Sequence, residues 1–197
     1  NPPPVGGVPS KGREITFGCF NHFSKISGTF LATAGDILQA VPGSRFLLKC
    51  RPLGIPEVER SVRQLFAARG IEPGRVDLRG WEARYANHLT AYNEVDIALD
   101  SFPYNGATTT CEATWMGVPV VTQVGDRHAG RMGLSLLSAL GLQELVARDR
   151  DEYVRICASL AGDRARLAAL RACLRERMRL SALLDEERFT RNLESAY

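Results

Sequence analysis

Val95-Asp96-Ile97-Ala98-Leu99-Asp100-Ser101-Phe102-Pro103-Tyr104-Asn105-Gly106-Ala107-Thr108-Thr109-Thr110-Cys111-Glu112-Ala113-Thr114-Trp115-Met116-Gly117-Val118-Pro119-Val120-Val121-Thr122 is the stretch whose reading decides the fold. Residues 95–99 form a short apolar run of strand length. Asn105-Gly106 marks a turn, a helix follows through Trp115, and residues 119–122 form a second apolar strand. A single helix between two strands makes those strands parallel, because the crossover returns the chain to the same edge of the sheet.

The same alternation continues in both directions. Strands are predicted at 15–20, 45–50, 76–79 and 144–146, and helices at 28–41, 56–69, 84–92 and 130–140. Pro42-Gly43 and Gly70 act as stops. Strands that are apolar along their whole length suit a sheet covered on both faces. The expected fold class is therefore α/β, a doubly wound parallel sheet of Rossmann-like type. Residues 1–13 are rich in proline and glycine and read as a linker. Residues 14–148 read as the lobe itself. Residues 149–197 carry no strand signal and read as a helical extension packing on the lobe, with Arg164, Arg166, Arg171, Arg175, Arg177 and Arg179 on solvated faces.

Composition removes several classes of function. A net charge of +3 over 197 residues, with no basic run interleaved with aromatics, gives no footprint for nucleic acid. The five cysteines include no CxxC pair and lie mostly in apolar runs, which reads as free thiols in a reducing compartment. No apolar run reaches the roughly 18 residues of a membrane span, and no signal-peptide pattern opens the chain. A cytoplasmic protein without a membrane partner is expected.

In an open parallel sheet, ligands bind beyond the carboxyl ends of the strands. The first strand delivers His22 and Lys25 there, and the third delivers Gly80-Trp81-Glu82 and then His88. The fourth delivers 100–110, and the fifth delivers Gly125-Asp126-Arg127-His128. Gly106 permits close backbone approach or a positive φ. The residues after it open a helix whose free N–H groups and macrodipole favour an anion. Two readings of this helix start stand side by side: Asn105 or Thr108 caps it, or it holds a phosphate. Three successive threonines are poor helix formers, which favours the second. Lys25 is either a surface lysine or a partner to that anion. Glu112, one turn beyond Thr108, is either a solvated carboxylate or an acceptor for ribose hydroxyls. His88 either covers a base or is a half-buried helix histidine. Asp149-Arg150-Asp151 matches a DxD metal pattern but sits at a helix start, where acids belong for dipole reasons, so no metal site is expected. No GxGxxG follows the first strand, against a usual dinucleotide site.

Phe17-Gly18-Cys19-Phe20-Asn21-His22-Phe23-Ser24-Lys25-Ile26, Asp100 through Thr109, and Glu112 through Thr122 together resemble the C-terminal catalytic lobe of the protein O-linked N-acetylglucosamine transferase family, which includes the SPINDLY-type enzymes. The similarity runs over nearly the whole chain and is strongest to bacterial members, which commonly carry tetratricopeptide repeats upstream. The resemblance implies a GT-B architecture with the donor nucleotide on this lobe. It matches Lys25 to a lysine on the diphosphate and Thr108 and Thr109 to the phosphate-binding helix start. Glu112 matches a ribose-holding carboxylate, and His88 a histidine beside the uracil. His22 stands in place of a glutamine near the phosphates, and Ala107 in place of a histidine.

The implied reaction is inverting, metal-independent transfer of a sugar from a nucleoside diphosphate to a Ser or Thr hydroxyl, with Lys25 as the catalytic residue of this lobe. UDP-N-acetylglucosamine is the expected donor substrate, and no cofactor is expected. The expected partners are the nucleotide sugar, an acceptor protein and an N-terminal catalytic lobe outside this chain. The alternatives are a lobe of another GT-B enzyme, such as a nucleotide-sugar epimerase, and a noncatalytic nucleotide-binding module.

Overall fold

A computed structural model describes residues 3–6 and 14–197, so most of the 1–13 linker expectation lies outside the described residues. Six strands form one sheet: β1 (Thr16–Cys19), β2 (Arg45–Lys49), β3 (Val76–Arg79), β4 (Ile97–Leu99), β5 (Val120–Gln123) and β6 (Val146–Ala147). Their spatial order is β3-β2-β1-β4-β5-β6 and every pairing is parallel. This is the doubly wound Rossmann order, in which the chain builds outward from β1 in one direction and then, from β4, in the other.

The helices are α1 (Gly28–Ala40), α2 (Pro56–Ala67), α3 (Tyr85–Thr90), α4 (Thr108–Trp115), α5 (Met132–Ala139), α6 (Arg150–Gly162), α7 (Arg164–Arg179) and α8 (Glu186–Glu194). The central strands are apolar on both faces, so both must be covered. Phe17, Phe46, Leu48, Ile97 and Val121 are all fully buried between the helical layers. Ser27 caps α1 by accepting from Phe30 N at 3.0 Å, and the chain turns after α1 through Gly43 at φ 78°. α1 packs against α2 and α6, while α7 packs on α4.

Two elements differ from the expectation. The helix expected over 84–92 stops at Thr90, and Ala91–Glu94 tightens into a 3-10 turn that feeds β4. The last strand lies later than 144–146. Gln143–Leu145 is a 3-10 turn, and only Val146 and Ala147 pair with β5.

The arginines of α7 are also not all on solvated faces. Arg171 is 2% exposed and donates from a guanidinium nitrogen to Val95 O at 2.8 Å. Arg175 donates to Trp115 O at 2.6 Å and to Pro3 O at 3.0 Å. Both side chains satisfy backbone carbonyls left over at the edges of β4 and α4, and so fasten α7 to the lobe. By contrast, α8 buries no residue and leaves Phe189 and Leu193 exposed. Among the described residues no helix is long and apolar enough to cross a membrane.

Candidate functional site

β1 and β4 are neighbours whose connections leave in opposite directions, so their carboxyl ends frame a crevice. Asp100, the residue after β4, organises it. Its buried carboxylate accepts from Gly106 N at 2.6 Å, Thr122 Oγ1 at 2.7 Å and Asn21 Nδ2 at 3.0 Å. Its carbonyl accepts from the Tyr153 hydroxyl of α6 at 3.0 Å. Burial pushes the Asp100 carboxyl up to about 6, and the three donors and the Lys25 charge offset only part of that cost. Asn21, delivered by β1, also donates to Ser101 Oγ at 2.7 Å and accepts from the Thr109 hydroxyl. One buried amide thus fixes the β1 loop, the β4 loop and the first turn of α4 together.

Gly106 sits inside this knot. A Cβ there would lie 2.5 Å from both Asn21 Oδ1 and Thr109 Oγ1. Among the described residues the glycines with positive φ are Gly43, Gly70, Gly117 and Gly141, so what Gly106 supplies is close approach rather than left-handed backbone. Gly106→Ala is therefore expected to force Asn21 and Thr109 apart and cost about 1–3 kcal/mol, the range for overpacking. Urea unfolding checks this; an unchanged midpoint contradicts the close-packed turn.

The start of α4 carries no side-chain cap. Ala107 occupies the N-cap position, and the first helical bond runs from Cys111 N to Ala107 O at 3.0 Å. Helix geometry leaves the N–H groups of the preceding residues aimed outward without intrahelical acceptors. Asn105, one of the two capping candidates, is used elsewhere. Its amide donates to Ser101 O at 2.9 Å and its oxygen accepts from Gly133 N at 3.3 Å. Thr108, the other candidate, is the first helical residue and is exposed. The Lys25 ammonium donates to Asn105 O at 2.9 Å and lies 4.2 Å from the Tyr104 ring centroid. A fixed ammonium and an open helix N-terminus therefore border the same turn, which is the arrangement an anion requires.

The crevice extends from this turn towards β2 and β3 as a cleft of about 540 Å³, lined among others by His22, Lys49, Trp81, His88, Thr108, Thr109 and Glu112. At its far end Glu112 Oε1 accepts from the Tyr85 hydroxyl at 3.0 Å. Its Oε2 accepts from His88 Nε2 at 3.0 Å and the Tyr92 hydroxyl at 3.3 Å. Burial pushes Glu112 up, but the bonds from His88, Tyr85 and Tyr92 outweigh it and hold the carboxyl below the ordinary glutamate range. The tyrosine of this group on the 3-10 turn, Tyr92, is buried and its pKa is raised well above 10, so its hydroxyl remains a donor.

The structure thus brings His22, His88, Thr108, Thr109 and Glu112 to one cleft, with Lys25, Gly106 and Ala107 at its border. Glu112 is not a solvated carboxylate: its side chain is 11% exposed and carries three donors. His22 is exposed and accepts from Ser24 N at 3.3 Å, capping a 3-10 turn at Phe23–Lys25. The loop after β5 does not join the cleft. Asn105 N donates to Ala129 O at 2.9 Å, so that loop buttresses the turn from the side, and His128 lines a separate groove. Asp149 accepts from Glu152 N at 2.8 Å and caps α6, the dipole role expected of it. Asn21, Lys49 and Asp100 carry more of the geometry than their sequence positions suggested; the only signal was polar residues ending apolar strands.

Strand order and crevice define a Rossmann-like lobe, and its likeness to solved glycosyltransferases makes it one of the GT-B type. Residues 7–193 match the glycosyl transferase family 41 model, and the chain belongs to that family. It is 47% identical over 183 residues to a Petunia hybrida protein named as a probable UDP-N-acetylglucosamine–peptide N-acetylglucosaminyltransferase SPINDLY, covering 93% of this chain and 20% of that protein. It is 33% identical over 180 residues to the Caenorhabditis elegans UDP-N-acetylglucosamine–peptide N-acetylglucosaminyltransferase, covering 91% of this chain and 15% of that one. A solved Thermobaculum terrenum O-GlcNAc transferase mutant superposes on all of this chain and 38% of its own with a TM-score of 0.89 at 40% identity. The chain spans about a fifth of the length of the curated relatives it matches.

Proposed function

We propose that this chain is the donor-binding lobe of a protein glycosyltransferase that moves N-acetylglucosamine from UDP to Ser or Thr hydroxyls. The observation that carries the reading is the uncapped start of α4 at Thr108, with Lys25 Nζ fixed 2.9 Å from Asn105 O beside it. The diphosphate lies against the α4 N–H groups, the Thr108 and Thr109 hydroxyls and Lys25, with His22 and Ala107 at its edge. Gly106 lets Asn21 and Thr109 close on this turn from behind. The nucleoside runs along the cleft, its ribose towards Glu112 Oε1, which accepts from Tyr85 and, among the described residues, from no other donor, and its base towards His88.

The acceptor oxygen attacks the anomeric carbon from the side opposite the diphosphate, so the C–O bond to phosphate breaks as the new one forms and the configuration inverts. Negative charge grows on the leaving diphosphate. Fixed dipoles and an ammonium aimed at it stabilise the transition state more than the ground state, and this supports departure without a metal or cofactor. The group that takes the hydroxyl proton and the acceptor protein's contacts belong to a partner lobe outside this chain, preceded by tetratricopeptide repeats as in the resembling bacterial enzymes. A cytoplasmic location fits that acceptor class.

Thermal unfolding with UDP, GDP and ADP in parallel tests the reading. A nucleotide at 100 times its Kd adds about 2.7 kcal/mol, or roughly 5–11 °C for a chain of this size. UDP is expected to give the largest shift. A larger shift with GDP or ADP reassigns the donor, and no shift with any of them leaves a noncatalytic module.

A further inference from the structure

Lys49 is a buried charged side chain of the cleft that the proposed mechanism leaves unused. It ends β2, is 7% exposed, and points into the base end of the cleft. Its Nζ lies 3.0 Å from His88 Nδ1 and 5.3 Å from the Phe20 ring centroid. Burying an ammonium is costly, and burial lowers its pKa. The charges that act on it are Glu82, Arg79, Glu112 and Glu94, of which the three carboxylates favour the ammonium and Arg79 opposes it. Among the described residues it forms no direct ion pair; its close polar contact is the histidine ring.

The two nitrogens of His88 therefore face different demands. Nε2 is 3.0 Å from Glu112 Oε2, a carboxylate that can only accept, so Nε2 must carry the proton. Nδ1 faces an ammonium that can only donate, so Nδ1 must hold its lone pair. We propose that Lys49 is a positioning residue that locks His88 in the Nε2–H tautomer. Through His88 it orients Glu112 and the ring surface against which the donor nucleoside rests. The chain Lys49 to His88 to Glu112 alternates donor and acceptor without a gap. Tyr85, 5.9 Å from the His88 ring centroid and nearly parallel, and Tyr92, set edge-on at 5.7 Å, hold the ring from two sides. Glu112 is left with an Oε1 lone pair turned to the cleft in place of a freely rotating carboxylate.

The role for nucleoside binding rests on the donor-lobe reading, whereas the tautomer does not, so the two can fail separately. The test is a long-range proton–nitrogen correlation spectrum of the histidine rings, together with UDP titration, for the chain and for Lys49→Met and Lys49→Arg. The expected result is a single Nε2–H tautomer for His88 in the unaltered chain. Lys49→Met, which fills the same space without a donor, is expected to lose that single tautomer and weaken UDP binding about tenfold. Lys49→Arg, which still donates, is expected to keep both. A wild-type His88 protonated at Nδ1 overturns the proposal, as does a Lys49→Met chain that keeps the tautomer or binds UDP unchanged. If the tautomer is as stated and the unaltered chain binds no nucleoside diphosphate, the donor-lobe reading falls and takes the binding role of Lys49 with it.

Discussion

Replacing Asp100 with alanine is expected to destabilise the chain by about 3–5 kcal/mol, the cost of leaving several buried donors without their acceptor. Three are affected at once: the Gly106 N–H, the Thr122 hydroxyl and the Asn21 amide. All three donors lie in buried residues; Asn21 keeps its second bond to Ser101 Oγ, so the loss falls mainly on the Gly106 N–H and the Thr122 hydroxyl. Asp100→Asn is expected to cost much less, because its oxygen can serve Gly106 and Asn21 while its amide donates to Thr122. Urea unfolding of the two variants separates the cases. Equal losses for both would mean that the carboxylate, rather than its shape and acceptors, is what the fold requires.

The same residue gives a pH dependence of unusual sign. The Asp100 pKa is raised from 3.8 to about 6 in the folded chain. Between those values the folded state holds a proton that the unfolded state has released, so this group's contribution to stability rises as pH falls from above 6 towards 3.8. A salt-bridged carboxylate with a lowered pKa behaves in the opposite way. The stability difference between the unaltered chain and Asp100→Asn is therefore expected to move in favour of the unaltered chain between pH 7.5 and pH 5. A difference constant across that window contradicts the buried-charge account of Asp100.

Lys25→Ala carries the second large effect. In the full-length enzyme, assayed with saturating donor, it is expected to raise the barrier by about 2–4 kcal/mol, the range for removing one preorganised group that stabilises developing charge. That corresponds to roughly 30- to 1,000-fold in kcat. The fold is expected to survive, because Lys25 is only half-buried and lies outside the core, its ammonium donating to Asn105 O. A loss confined to KM would place Lys25 in binding alone, and an unchanged kcat removes it from the chemistry.

The parts of the molecule that sequence revealed are those with local causes. Strand, turn, helix and strand over 95–122 were legible because the apolar runs, Asn105-Gly106 and the poor helix formers after it act within a few residues of one another. Lys25 and the turn were legible as neighbours because parallel topology delivers both to the same rim. What was hidden depends on contacts between distant segments. Asn21 and Asp100 read as loop residues, yet one hydrogen bond across 79 positions makes them the centre of the site. Arg171 read as one more solvated arginine, and only the placement of α7 over β4 gives it the Val95 carbonyl. The sixth strand was misplaced because the short apolar pair Leu145-Val146 does not mark where a strand starts, while pairing with β5 begins only at Val146.

A donor-binding lobe of this kind requires the open N-terminus of α4 and Lys25 to hold the diphosphate. Amide proton–nitrogen spectra recorded while UDP is added, with uridine as the control, read this out residue by residue. UDP is expected to shift the amides of Ala107, Thr108, Thr109 and Thr110 most, and uridine to leave these unmoved while still shifting Tyr85 and His88. UDP shifts that leave residues 107–110 untouched would contradict it.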